Sequence, residues 1–265
     1  GTEAGVRLLD RLTKFALSVP AEEASAVELL RSILSQRFGR EGFLIHGSGS
    51  MIGRIRAAAE SSGAEVRTAA PVRRIIVEGG RARGVEVEGG ESLDADWVIA
   101  NAGVRRTLGM LGEHAPSRVV EQVATLRPAC GFTHAVRSRN CLHEHLSIEI
   151  PLDLRHIDGI MPVSNLSRFL CPPEWHFALA YQWMDPAEDP EKQLEAGRRE
   201  LLEHLGSGAE IMNTACYHSH NPTANIAQMI GQHGKSRPPA ILPGIEGLFL
   251  VGHDIQGYGT AAELI

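Results

Sequence analysis

Apolar positions recur along the chain with two periods. Over residues 22 to 38, "EEASAVELLRSILSQRF", Ala26, Leu29, Leu30, Ile33 and Leu34 fall at helical spacing, with acids early and Arg37 late to suit the helix dipole. The pattern predicts a helix that stops at Gly39. A second helix is expected from about Ser50 to Ser62, with Met51, Ile52, Ile55 and Ala59 as its inward stripe, followed by a strand "AEVRT". The period then drops to two. "PVRRIIVEGGRARGVEVEGGESLDADWVIANA" reads as three short strands, about 72 to 77, 83 to 88 and 91 to 100, split by Gly79-Gly80 and Gly89-Gly90. Paired glycines between alternating β-branched residues mark tight hairpin turns, so an antiparallel meander is expected, its last run apolar enough to return to a buried sheet.

Further on, "GFTHAVRS", "LSIEIPL", "HIDGIMPVSN" and "WHFALAYQWM" read as longer strands of a mostly antiparallel sheet. "PEKQLEAGRRELLEHLG" reads as a helix that starts near Asp189-Pro190 and stops at Gly206. After a polar, irregular run, "LFLV" forms a short buried strand that enters a glycine-containing turn and a nascent helix.

The glycines in "HGSGSMIG" raise a nucleotide-binding reading. A dinucleotide fingerprint needs glycines at relative positions 1, 3 and 6, whereas here they are Gly47, Gly49 and Gly53, with Ile52 at the sixth place. A second parallel strand should also lead into another crossover, and the meander after Thr68 does not provide one. A nicotinamide-dependent reductase using Gly47–Gly53, with Arg67 near a 2′-phosphate, stays as an alternative.

Composition narrows the classes. With 265 residues, 43% hydrophobic and 22% charged, the chain can bury a sizeable core. A net charge of -6 argues against nucleic acid as the main partner. Cys130, Cys141, Cys171 and Cys216 form no C-x-x-C pair and read as buried thiols of a reducing compartment. No apolar stretch of about 18 residues is present and no signal peptide is visible, so a cytoplasmic protein is expected, with peripheral contact at a membrane surface left open.

Three motifs in order carry a resemblance: "HGSGSMIGRIRAAAESSGAEVRTAAPVRRIIVEGG", the run "DADWVIANAGVRRTL", and, after a variable antiparallel region, "RPPAILPGIEGLFLVGHDIQGYGTAAELI". Together they resemble the phytoene dehydrogenase and carotenoid desaturase-like flavoproteins, related more widely to the flavin amine oxidases. Nearly the whole chain aligns with the later half of such a protein. The resemblance implies a mixed α/β fold, an incomplete Rossmann-like FAD lobe with a meander plus a substrate lobe with a mostly antiparallel sheet and helices. Residues 1–41 would be a helical part of the substrate domain, 42–112 part of the FAD domain, 113–235 the substrate domain, and 236–265 the C-terminal part of the FAD domain.

The same resemblance gives roles to residues. Val72 would pair through its backbone with the adenine of FAD. Asn101 and Ala102 would lie near the middle of the cofactor. Gly252, His253 and Asp254 follow the last strand, and the acid would hydrogen-bond ribityl or pyrophosphate oxygens. Gln256, Gly257, Tyr258 and Gly259 would place backbone N–H groups beneath the flavin's O2 side. The chain departs from the family at His253, often Asp or Ala, and at Gln256, often Pro. The family's N-terminal G-x-G-x-x-G has no counterpart, so a missing N-terminal segment or a partner chain is expected to supply it. The implied reaction is hydride transfer between a C–H bond of an apolar small-molecule substrate and flavin. A flavin-free binding or scaffold homologue is the other alternative.

Among other candidates, His143 with His145 and His218 with His220 would each face one way on a strand, yet surface histidines explain them as well, and no metal is expected. Glu144 and Glu149 read as solvated strand residues. Phe132, Ile148, Ile160, Phe177 and Trp183 read either as core or as the lining of a tunnel for a long hydrophobic substrate. No catalytic acid–base residue is assigned, because a hydride-abstracting flavoenzyme needs position and dryness more than proton transfer.

Overall fold

The computed structural model describes residues 2–38, 43–142, 144–217, 226–252, 254 and 255. It divides into two packed regions. The first is built on a sheet of four strands, β5 (Gly131–Ser138), β6 (Gly159–Met161), β7 (His176–Trp183) and β8 (Ala209–Tyr217), in the order β6-β7-β5-β8 and antiparallel throughout. One face is sealed by α7 (Pro190–Leu205). Asp189 caps that helix by accepting from the N–H groups of Glu191 and Lys192, and Pro190 opens it with a fixed φ. Beneath it Val136, Ile157, Ile160, Ala178, Ala180 and Leu201 form a closed apolar cluster.

The same face holds a buried polar group. His134 is fully buried, with Nδ1 3.0 Å from Thr214 Oγ1 and Nε2 3.0 Å from Gln182 Oε1, while Gln182 Nε2 donates to Gln193 O at 2.7 Å. Burial holds the imidazole pKa below its ordinary value, against the opposing pull of the Gln182 hydrogen bond. Gly197 of α7 makes room: a Cβ there would fall 2.0 Å from Gln182 Oε1.

On the opposite face lies α1 (Glu3–Leu17), where Phe15 meets Tyr181 edge-on and Ser18 O accepts from Trp183 Nε1. Its anchor is Arg11, buried with Asp158 at 2.7 Å and also donating to the carbonyls of Leu154 and Arg155. Asp158 receives Trp183 N as well, yet burial still pushes its carboxyl pKa upward. Two expected strands are shorter than their patterns suggest. "LSIEIPL" keeps only a bridge between Glu149 and Ile160, and "HIDGIMPVSN" gives β6 and then a short helical turn, α6 (Val163–Leu166).

The second region holds the meander β1 (Val72–Glu78), β2 (Arg81–Val87) and β3 (Ser92–Asp94), with Gly79-Gly80 and Gly89-Gly90 all at positive φ in its turns. The last predicted strand is split, because β3 closes the meander and β4 (Val98–Ala100) leaves it to pair in parallel with β9 (Leu248–Leu250). Helices α4 (Val104–Leu111) and α5 (Ser117–Ala124) complete a core of Ile75, Val98, Leu108, Val123, Leu242 and Leu248. The segment "AEVRT" has no ladder partner and is not a strand.

Two helices depart from expectation. Helix α2 (Ala26–Phe38) is inverted: Glu28 and Ser32 are buried with Ser25 just before it, while Val27, Leu30, Ile33 and Leu34 are exposed. Helix α3 (Gly47–Ser61) buries no side chain, and its expected inward stripe at Met51, Ile52 and Ile55 faces outward. The thiols also differ from expectation, since Cys130 is buried but Cys141 is exposed.

Two strands of irregular chain join the regions side by side. Ala227 N donates to Arg127 O at 3.0 Å, Pro128 bridges Ile226, and Gln232 clamps the pair through Arg127 N, Arg127 O and Ala227 O. No helix among the described residues is long and apolar enough to cross a membrane.

Candidate functional site

The parallel pair β4–β9 ends both strands at one place. Ala100 lies opposite Leu250, and Val251 N donates to Ala100 O at 3.0 Å, so Asn101 and Gly252 leave the sheet as neighbours. Crevices at the carboxyl ends of parallel strands are where α/β folds bind ligands. Gly252 has φ 131°, and a Cβ on it would lie 3.0 Å from Asn101 Oδ1 and 3.3 Å from Asp254 Oδ1. Only glycine suits both the backbone and the space. The result is bare main chain beside an exposed amide.

Asp254 closes the turn from within. Helix α4 begins at Gly103, which has no side chain to cap it, and Asp254 Oδ2 accepts from Val104 N instead. The acid therefore meets the positive end of α4 and is 7% exposed. Its neighbour in charge is Arg237, 2% exposed. Burial draws that guanidinium's pKa below its ordinary value, and Glu28 and Asp254 both act against the shift.

The structure thus brings Asn101, Ala102, Gly252 and Asp254 together. Val72 is half-buried at the start of β1, a strand joined to this site through the packing of Ile75 against α4. His253, Gln256, Gly257, Tyr258 and Gly259 lie outside the described residues. Arg237 and Glu28 were not legible as site residues; Glu28 falls on the polar face of the predicted helix, where an acid is unremarkable.

The bare backbone and amide fit the ribityl side of a flavin cofactor. They do not make a pyrophosphate loop, and Gly47–Gly53 does not either, since these glycines lie in α3 and the described residues before it, 43–46, form no strand. Arg67, the candidate for a 2′-phosphate, is instead engaged by Glu65 at 2.6 Å and Glu91 at 2.8 Å. The reading of these residues as a nicotinamide site finds no structural support.

His143, His218 and His220 fall outside the described residues, while His145 is exposed; among the described residues no cluster of His, Cys, Asp or Glu could hold a metal ion. Glu149 is 3.3 Å from His204, and Glu144 is exposed. Of the tunnel candidates, Phe132 and Ile160 are core beneath α7, and Ile148 is exposed. Phe177 and Trp183 lie on the face turned away from α7, half-buried.

Comparison with known proteins places this architecture. Over 44 residues the chain is 50% identical to a zeta-carotene-forming phytoene desaturase of Myxococcus xanthus, covering 17% of this chain and 8% of the desaturase. An oxidoreductase from Methanosarcina mazei superposes with a TM-score of 0.81 at 25% identity, over 96% of this chain and 60% of its own. A protein of Pyrococcus furiosus gives a TM-score of 0.70 at 23% identity, over 82% of this chain and 54% of its own. The chain therefore spans little more than half the length of these structural relatives and a small part of the desaturase. The family described as flavin containing amine oxidoreductase matches residues 3–263, nearly the whole chain, and to that family the chain belongs.

Proposed function

We propose that this chain is the larger part of an FAD-dependent oxidoreductase of the phytoene dehydrogenase-like group, moving hydride between a C–H bond of an apolar substrate and the flavin. The observation that carries the reading is the crevice where β4 and β9 end, with Asn101 and the bare backbone of Gly252 side by side. Asn101 and Gly252 hold the ribityl region, Asp254 fixes their turn through α4, and the start of β1 at Val72 meets the adenine. When bound, the flavin supplies the hydride acceptor.

The chain's own task is to position the substrate and keep water away. The sheet face opposite α7 supports this, because Ala135, Met161 and Leu179 share it with Tyr181, whose hydroxyl pKa burial pushes up to about 12. That hydroxyl stays protonated and neutral in any ordinary buffer. A cytoplasmic protein that meets a membrane only from its side suits such a substrate.

The pyrophosphate needs donors of another kind. Exposed apolar faces on α2 and α3, with Ile52 61% and Leu30 59% exposed, fit a further α/β segment, from the same polypeptide or a partner chain, that covers them and brings the glycine loop. Titrating FAD fluorescence tests this. The 265-residue chain should bind weakly, and a longer protein carrying an N-terminal α/β segment should be yellow and bind tightly, with Asp254→Ala reducing retention. Tight binding by the short chain would relocate the phosphate site, and failure of the longer protein to hold flavin would sink the reading.

A further inference from the structure

The parallel pair β4–β9 is a sheet of two strands, and its two edges differ. Val98 N donates to Gly247 O at 2.8 Å and Val251 N to Ala100 O at 3.0 Å, so the main chains of Val98 and Ala100 face β9. In a parallel ladder the residue between them turns its N–H and C=O the other way. On β9 the outer edge is closed by the chain itself, since Leu250 N donates to Ala240 O at 2.8 Å and Ile241 bridges Phe249. On β4 it is open. Among the described residues nothing bonds to the main chain of Ile99, which is 68% exposed.

The face beside that edge is uncovered as well. Val98 and Ala100 pack into the core with Leu108 of α4, whereas Trp97, 60% exposed, and Ile99 turn outward with Phe249. Trp97 and Phe249 already stack at 5.6 Å, with the Arg81 guanidinium 5.4 Å over the indole. Parallel strands are found in sheets with both faces covered, and a bare edge is a template for another strand.

Direction and length identify the occupant. A strand running parallel to β4 would end, as β4 and β9 do, beside Asn101 and Gly252, so the loop after it opens into the crevice, where a helix N-terminus can meet a phosphate. An antiparallel strand would carry its loop to the opposite end. Parallel strands need a crossover of a dozen or more residues, and α1, α2 and α3 supply more than that before β4. The Methanosarcina mazei oxidoreductase keeps two-fifths of its own length outside the superposed part, room for such a strand within one polypeptide.

We propose that the main-chain edge of β4 at Ile99 is the docking site of a parallel strand from a segment that precedes residue 1 in the same polypeptide, and that this segment's apolar side chains cover Trp97, Ile99 and Phe249. The proposal rests on the function proposed above in one respect, that the loop following the strand supplies the phosphate contacts. The pairing itself is a matter of backbone.

The test is amide hydrogen exchange in the 265-residue chain and in a longer protein carrying the upstream segment, both free of flavin. The Ile99 amide should exchange at least about a hundredfold more slowly in the longer protein, while that of Ala100, already in the ladder with β9, is protected in both. Ile99→Pro removes the donor. It should leave the melting temperature of the 265-residue chain nearly unchanged, because an edge strand tolerates proline where the N–H points away from its ladder, yet strip the protection of the upstream strand in the longer protein. Ile99→Val keeps the donor and should behave as the wild type in both. Equal exchange at Ile99 in the two proteins overturns the proposal, and so does protection in the 265-residue chain that rises with concentration, which would place a second copy on the edge. If the shorter chain aggregates, the longer protein decides: an unprotected Ile99 amide, or an upstream strand still protected in Ile99→Pro, overturns the proposal. Flavin is then added separately. A longer protein that protects Ile99 and binds no flavin defeats the function proposed above and upholds the docking; one that binds flavin with Ile99 unprotected defeats the docking alone.

Discussion

Helices α7 and α3 are nearly equal in length, sixteen and fifteen residues, and end in opposite circumstances. The first is capped by Asp189, seats Leu201 in a closed core and accepts Gln182 against Gly197. The second has no side-chain cap and buries nothing, although Met51, Ile52 and Ile55 make an apolar stripe as regular as any in the chain. Amphipathic spacing reports that a face needs cover. It does not report who covers it. In α2 the contrast runs through one helix, where Glu28 and Ser32 turn inward to a charged junction and Leu30 and Ile33 turn out.

That contrast can be broken by substitution, most forcefully at the anchor of the closed region. Arg11→Met strands Asp158 in the interior and should cost about 3–5 kcal/mol by urea denaturation. A loss below about 1 kcal/mol would mean that the pair is better hydrated than its burial indicates. Leu201→Ala should cost about 2–5 kcal/mol through the lost contacts and the cavity. Gly197→Ala should cost about 1–3 kcal/mol, because Gln182 must move and His134 loses one of its two hydrogen-bond partners; His134→Gln in the same background would show by non-additivity that the two effects are one.

Acid should loosen the closed region in a predictable direction. His134 has a folded pKa below its unfolded value, so its contribution is present above about pH 6.5 and is lost as pH falls from there through the folded pKa, with a slope of up to about 1.4 kcal/mol per unit. Comparing urea midpoints at about pH 7.5 and about pH 5.5 in wild type and His134→Gln isolates this term from the other histidines. A variant with an undiminished pH slope would refute it. The smallest effect belongs to the open face. Ile52→Ser with Ile55→Ser should change the stability of the 265-residue chain by less than about 0.5 kcal/mol, yet weaken flavin retention in the longer protein if the proposed N-terminal segment covers that face.

The meander was legible because its signals are local: four glycines at positive φ leave little other than tight turns. Helix α7 was legible for the same reason, from Asp189-Pro190 to Gly206. Strand β8 was not, since as the edge of its sheet it carries Glu210, Asn213 and Thr214 and shows no clean alternation. "AEVRT" has the composition of a strand without a neighbour to make it one. At the site, family resemblance marked Asn101, Gly252 and Asp254, but spacing alone could not pair β4 with β9, separated by about 150 residues, or show that Asp254 caps a helix that begins at Val104. Arg237 was invisible because a single arginine before two prolines has no period.

The paired run at Arg127 and Ala227 has a mechanical consequence. A single connecting strand lets two bodies swing and twist freely, whereas two chains bonded side by side behave as a ribbon, soft to bending in one direction and stiff to torsion. Gln232 adds a rivet, with hydrogen bonds to both sides of that ribbon. Two chains bonded in this way resist shearing and twisting more than one chain would, so the crevice and the antiparallel sheet are mechanically coupled at this crossing.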